Sequence, residues 1–182
     1  DPARPVSRLG EWDPKKIAAV MDKISGFMFH NNCENGSFEL FDQMLTTIEE
    51  RFGHLLEQVE WVSLGGGIHF TGEGYPIDQF CARLKAFSER FGVQVYLEPG
   101  EAAITLSSSL EVTVLDTLYN GKHLAVVDSS IEAHMLDLLI YRLNAKLAPS
   151  EGEHTYMVCG KSCLAGDIFG EYQFDRPLAI GD

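Results

Sequence analysis

Hydrophobic residues in the first hundred positions follow two alternating rhythms. Ile17, Val20, Met21 and Ile24 recur at helical spacing behind Asp13 and Pro14, so a capped helix is predicted over 13–24, closed by Gly26. Leu40, Phe41, Met44, Leu45 and Ile48 predict a second helix over 37–52, ended by Gly53. Phe80, Leu84 and Phe87 predict a third over 77–91, ended by Gly92. Between these lie short apolar runs, Phe27-Met28-Phe29, Trp61-Val62-Ser63-Leu64 and 93–97. Such runs suit strands buried on both faces of a parallel sheet.

Strand, helix, strand, helix, strand is the order of βα units in a parallel α/β fold. Each predicted strand ends in a polar or glycine-rich loop, at His30, at Gly65-Gly66-Gly67 and at Glu98-Pro99-Gly100. In a (β/α)8 barrel the functional groups sit on the loops that follow the strands. After Ala103 the texture changes. Segments 109–115, 123–127 and 154–158 read as strands, Asn120-Gly121 as a hairpin turn, and 172–182 as further strand and turn. The second part therefore reads as mostly β.

The 182 residues are 45% hydrophobic and 23% charged, an ordinary globular composition. No apolar run approaches the roughly 20 residues of a membrane span. The opening Asp1-Pro2-Ala3-Arg4-Pro5 reads as mid-loop, has no initiator Met and lacks the basic-then-apolar pattern of a cleavable signal, so the chain is expected to be part of a longer protein. A net charge of -13 disfavours nucleic acid and anionic membranes as partners and favours a cationic small molecule. Cys33, Cys81, Cys159 and Cys163 show no disulfide pattern, which suits a reduced, cytoplasmic protein.

Three successive glycines after a strand let backbone amides converge on an anion, although a tight turn explains them equally. No Gly-Lys-Ser/Thr follows, so this is not a P-loop. Glu98 could hold a proton on a heterocyclic nitrogen, or be a solvated turn carboxylate. His30 could stack on a flat cofactor ring, or be a satisfied core residue. A His30/Cys33 pair has too few further ligands to define a zinc site, and no metal is assigned. The stretch Ser162-Cys163-Leu164-Ala165-Gly166-Asp167 could bring a thiol and a carboxylate to a substrate, or be a turn with a buried Cys. Lys161 has no apparent desolvation to lower its pKa and is not read as a Schiff-base lysine.

Taken in order, these motifs resemble the alanine-racemase-fold decarboxylases, which use pyridoxal 5'-phosphate (PLP) and include ornithine, diaminopimelate and carboxynorspermidine decarboxylases. Ser7-Arg8-Leu9-Gly10, Phe29-His30-x-x-Cys33-Glu34 and Leu64-Gly65-Gly66-Gly67-x-His69-x-Thr71 resemble the carboxynorspermidine/carboxyspermidine branch. So do Tyr96-Leu97-Glu98-Pro99-Gly100-Glu101-Ala102, Ala133-His134-Met135-x-Asp137, Gly152-Glu153-His154-Thr155-Tyr156, the Cys163 loop and Phe174-Asp175-Arg176-Pro177-Leu178. The resemblance runs over nearly the whole chain.

The resemblance implies an α/β chain: the last βα units of a PLP-binding (β/α)8 barrel over 1–103, then part of a mostly-β domain over 104–182. It implies that His30 stacks on the pyridine ring and that Gly65, Gly66, Gly67 and Gly100 hold the phosphate. Glu98 would pair with the protonated ring nitrogen. Cys163 would reprotonate near the cofactor carbon, on a loop that crosses to the neighbouring subunit of a homodimer with shared sites. Glu101 stands where ornithine and diaminopimelate decarboxylases carry an Arg facing the phosphate. A carboxylate there would repel the phosphate, so Glu101 is expected to bind a cationic amine instead. Asp137 and His134 would complete that pocket, and Asp167 would also bind substrate.

The substrate implied is a small cationic carboxylated polyamine, decarboxylated to norspermidine or spermidine. The Schiff-base lysine would lie before residue 1 and a phosphate-contacting tyrosine after residue 182. A whole barrel needs about 250 residues, so the chain alone is expected to be inactive. The competing readings are a diaminopimelate or ornithine decarboxylase, a non-catalytic regulatory homologue, and an α/β domain without cofactor.

Overall fold

The three apolar runs pair as parallel strands. The computed structural model describes residues 6–148 and 151–182, so the opening segment 1–5 lies outside the described residues. Strands β1 (Gly26–Met28), β2 (Trp61–Ser63) and β3 (Gln94–Tyr96) form one sheet in that order. Phe27, Val62 and Val95 lie side by side in register and join a core built from helices α2 (Phe38–Leu56) and α3 (Ile77–Phe91). Side chains alternate along a strand, which turns Met28 and Tyr96 to the opposite face, where they are 50% and 52% exposed. The strands were expected to be buried on both faces. The helices cover only one.

Helix α3 has the predicted bounds, with Gly92 after it in the left-handed conformation (φ 67°). Ser37 caps α2, its Oγ accepting from the Leu40 N–H at 3.3 Å. Gly53 does not end α2, which runs one turn further because Leu55 and Leu56 are core residues. The predicted helix over 13–24 is broken. Asp13 caps a short α1 (Pro14–Ala18), Val20 leaves helical geometry, and a 3₁₀ turn follows at Met21–Lys23. A four-residue helix α4 (Glu101–Ile104) follows β3.

The chain divides after Ser108 into two units. The second holds a mixed sheet of β4 (Val114–Tyr119), β5 (His123–Val127), β6 (His154–Cys159) and β7 (Ile168–Phe174), in that order. The expected strand over 109–115 begins only at Val114, and the strand texture expected over 172–182 stops at Phe174. β4 and β5 form the hairpin expected around Asn120-Gly121, with Gly121 at φ 74°. β5 and β6 are parallel, and parallel neighbours need a crossover. That crossover contains α5 (Ile131–His134) and α6 (Leu136–Tyr141), two helices too short to show a readable period in the sequence. Val114, Ala125, Val127, Ile131, Tyr156, Val158 and Phe169 form the core of this unit.

Candidate functional site

In the first unit, the ends of the three parallel strands bring His30, the glycine loop and Glu98 to one rim. Ser63, the last residue of β2, is 4% exposed and is the hub. Its hydroxyl donates to Glu98 Oε1 at 2.5 Å and accepts the Gly65 N–H at 3.2 Å. The Glu98 N–H donates to the Gly65 carbonyl at 2.9 Å. The Gly66 N–H points at His30 Nδ1 at 3.4 Å, which makes Nδ1 the acceptor nitrogen of that ring. One buried serine thus fixes the acidic side chain relative to the glycine loop.

Close approach of neighbouring loops explains why residues 66 and 67 are small. A Cβ on Gly66 would collide with the Glu98 carbonyl oxygen, and one on Gly67 with the Asn32 carbonyl. Gly67 also has φ 74°, which L-residues rarely adopt. Gly100 differs. Its φ is -86° and a Cβ there would enter open space. No neighbouring atom requires glycine at that position. Among the described residues the amides of Gly67 and Gly100 donate no hydrogen bond. Glycine amides that donate to no protein group are available to an anion such as a phosphate.

Three further groups meet on the loops after these strands. His69 Nε2 lies 3.2 Å from Glu34 Oε2, and one ligand atom from each of Glu34, His69 and Glu101 lies within 4.8 Å of the others. Glu34 has φ 54°, an uncommon conformation for a residue with a side chain. An isolated parallel bridge, Asn35 with Ile68, ties the first two loops, and the Thr71 hydroxyl donates to the Ala102 carbonyl at 2.9 Å.

In the second unit, Cys163 is exposed on the loop between β6 and β7. Asp167 organises that loop. It is 2% exposed, and its carboxylate accepts the Ile131 N–H at 2.9 Å and the Ser162 N–H at 3.1 Å. A Cβ on Gly160 would collide with this carboxylate. Asp167 was expected on substrate; here it is buried, and each of its oxygens accepts one backbone amide. It fastens the Cys163 loop to the start of α5, near His134 and Asp137, both of which are exposed. Burial pushes the Cys159 thiol up, and the Asp167 charge adds to the effect.

Over all 182 residues the chain is 60% identical to a carboxynorspermidine/carboxyspermidine decarboxylase of Herminiimonas arsenicoxydans. The resemblance read from the motifs is borne out. Over 97% of the chain it is also 38% identical to a carboxyaminopropylagmatine decarboxylase of Synechocystis. The chain spans about half the length of these curated relatives, 50% and 47% respectively. The crystal structure of Campylobacter jejuni carboxynorspermidine decarboxylase complexed with norspermidine matches 98% of the chain and 52% of its own length. It does so at 38% identity with a TM-score of 0.83. No protein-family model matches the chain. Among the described residues, no helix is long and apolar enough to cross a membrane.

Sequence reasoning passed over Ser63 as part of an apolar strand. A hydroxyl inside such a run, one position before a glycine loop's leading Leu64, was the available signal. Glu34, His69 and Thr71 had been noted only as motif positions. Their contacts give those positions a physical meaning.

Proposed function

We propose that this chain is part of a PLP-dependent decarboxylase that removes the α-carboxylate of carboxynorspermidine or carboxyspermidine, leaving norspermidine or spermidine. The observation that carries the reading is the meeting of His30, the glycine loop and Glu98 through Ser63. The residue types at that rim suit a phosphorylated pyridine. When bound, PLP supplies an electron sink for the pair left on the α-carbon as CO2 departs.

In this reading the His30 imidazole offers a flat face to the pyridine ring. Gly65, Gly66, Gly67 and Gly100 surround the phosphate, with the Gly67 and Gly100 amides donating to it. Glu98 holds the proton on the ring nitrogen, steered by the Ser63 hydroxyl. Glu101, His134 and Asp137 receive the ammonium groups of the substrate. The Cys163 thiol gives its proton to the carbon that has lost CO2. Asp167 keeps the Cys163 loop in place. The first unit supplies the closing βα repeats of a (β/α)8 barrel, whose interior is the uncovered face with Met28 and Tyr96. The second unit supplies part of the β domain. Two full-length chains form a cytoplasmic homodimer with shared sites.

Steady-state CO2 release by the full-length, PLP-loaded protein tests this reading on five substrates: carboxynorspermidine, carboxyspermidine, carboxyaminopropylagmatine, ornithine and diaminopimelate. We expect kcat/KM to be highest for one of the two carboxylated triamines. Preference for ornithine or diaminopimelate would contradict the assignment.

A further inference from the structure

We propose that Glu34 is a second amine-binding carboxylate of this site, acting with Glu101 and held in position by His69. The inference rests on the decarboxylase reading above and deepens its account of how the substrate's cationic tail is recognised.

Glu34 and His69 lie on the loops after β1 and β2, and Glu101 opens the helix α4 that follows β3. Backbone contacts fix those loops to one another. The Asn35 N–H donates to the Gly67 carbonyl and the His69 N–H to the Asn35 carbonyl, each at 2.9 Å. The Thr71 hydroxyl then ties the second loop to the helix that carries Glu101. The constellation is therefore built by the scaffold that shapes the rim, so its geometry does not depend on long, freely rotating side chains alone.

A carboxylate only accepts hydrogen bonds, so His69 Nε2–H is the donor in the 3.2 Å contact with Glu34. That bond consumes one oxygen direction of Glu34 and leaves the others open. Glu34 is 59% exposed at its side chain, which makes it accessible to a ligand. The ligand atoms of Glu34 and Glu101 lie within 4.8 Å of each other. An ammonium with tetrahedral N–H directions and bonds of about 2.8 Å spans oxygens roughly 4.6 Å apart. One substrate ammonium can therefore bridge both carboxylates. Two carboxylates this close repel one another when the site is empty, and a cation between them removes the repulsion. His69 makes no contact with the substrate in this account and is a positioning residue.

The test uses the full-length, PLP-loaded enzyme. Glu34→Gln is expected to raise KM for carboxynorspermidine by about tenfold or more while kcat changes by less than about threefold. Calorimetry should show norspermidine binding weakened by a similar factor, with PLP absorbance unchanged. His69→Leu should reproduce part of the loss, and His69→Gln, which keeps an N–H donor, should restore most of it. KM and norspermidine affinity within about twofold of wild type for Glu34→Gln would overturn the proposal. So would equal losses from His69→Leu and His69→Gln, or activity lost to EDTA and restored by a divalent ion. If the unmodified enzyme neither decarboxylates the triamine nor binds norspermidine, the decarboxylase reading fails and this inference falls with it. A working enzyme that is indifferent at position 34 overturns only the role of Glu34.

Discussion

Replacing Glu98 with Gln in the full-length, PLP-loaded enzyme is expected to lower kcat by roughly 10²–10³-fold, the usual cost of removing one group aimed at developing charge. Two contacts fix the carboxylate in place. Ser63 donates to its Oε1 at 2.5 Å, and the Glu98 N–H is anchored on the Gly65 carbonyl. Gln keeps the size and one acceptor but cannot hold a proton on a ring nitrogen, so the cofactor would lose its charged, electron-withdrawing form. Single-turnover measurement of CO2 release separates this from binding: the chemical step should slow while PLP affinity changes little. Ser63→Ala should do less harm, because the carboxylate remains and only its aim is loosened. Undiminished kcat in Glu98→Gln would remove Glu98 from the chemistry.

Gly67→Ala and Gly100→Ala are expected to fail in different ways. At Gly67 the left-handed conformation costs an L-residue about 1–2 kcal/mol. The new Cβ would also strike the Asn32 carbonyl, and overpacking of this kind costs about 1–3 kcal/mol more. Denaturant unfolding should therefore show a loss of about 2–5 kcal/mol, and the rim should lose PLP because its shape is lost. At Gly100 φ is negative and the Cβ meets nothing. Gly100→Ala should leave stability within about 0.5 kcal/mol of wild type. It should still weaken PLP binding by about tenfold, since the Cβ occupies the space assigned to phosphate. Wild-type PLP affinity in Gly100→Ala would show that this space is not the phosphate seat.

The elements that shape the rim were legible to different degrees. α3 was readable because an apolar stripe and a terminal glycine gave the same bounds. The three strand ends were readable because apolar runs stop abruptly at His30, at Gly65 and at Glu98. Parallel register, however, leaves no local trace. Nothing around Ser63 says that its hydroxyl reaches an acid 35 positions later. The anchoring of Asp167 was hidden for a similar reason. Its carboxylate is spent on an amide at Ile131, 36 positions earlier, so a loop acid that looked free is buried. The meeting of Glu34, His69 and Glu101 likewise depends on a bridge between loops and on an unusual φ at Glu34. α5 and α6 escaped notice because one or two turns hold too few residues to reveal a face.

A crystal structure of the full-length enzyme grown with PLP tests the central claim most directly. The account predicts the phosphate within hydrogen-bond reach of the Gly67 and Gly100 amides, the pyridine nitrogen against the Glu98 carboxylate and the ring over His30. PLP seated away from these residues, with the rim intact, would contradict it.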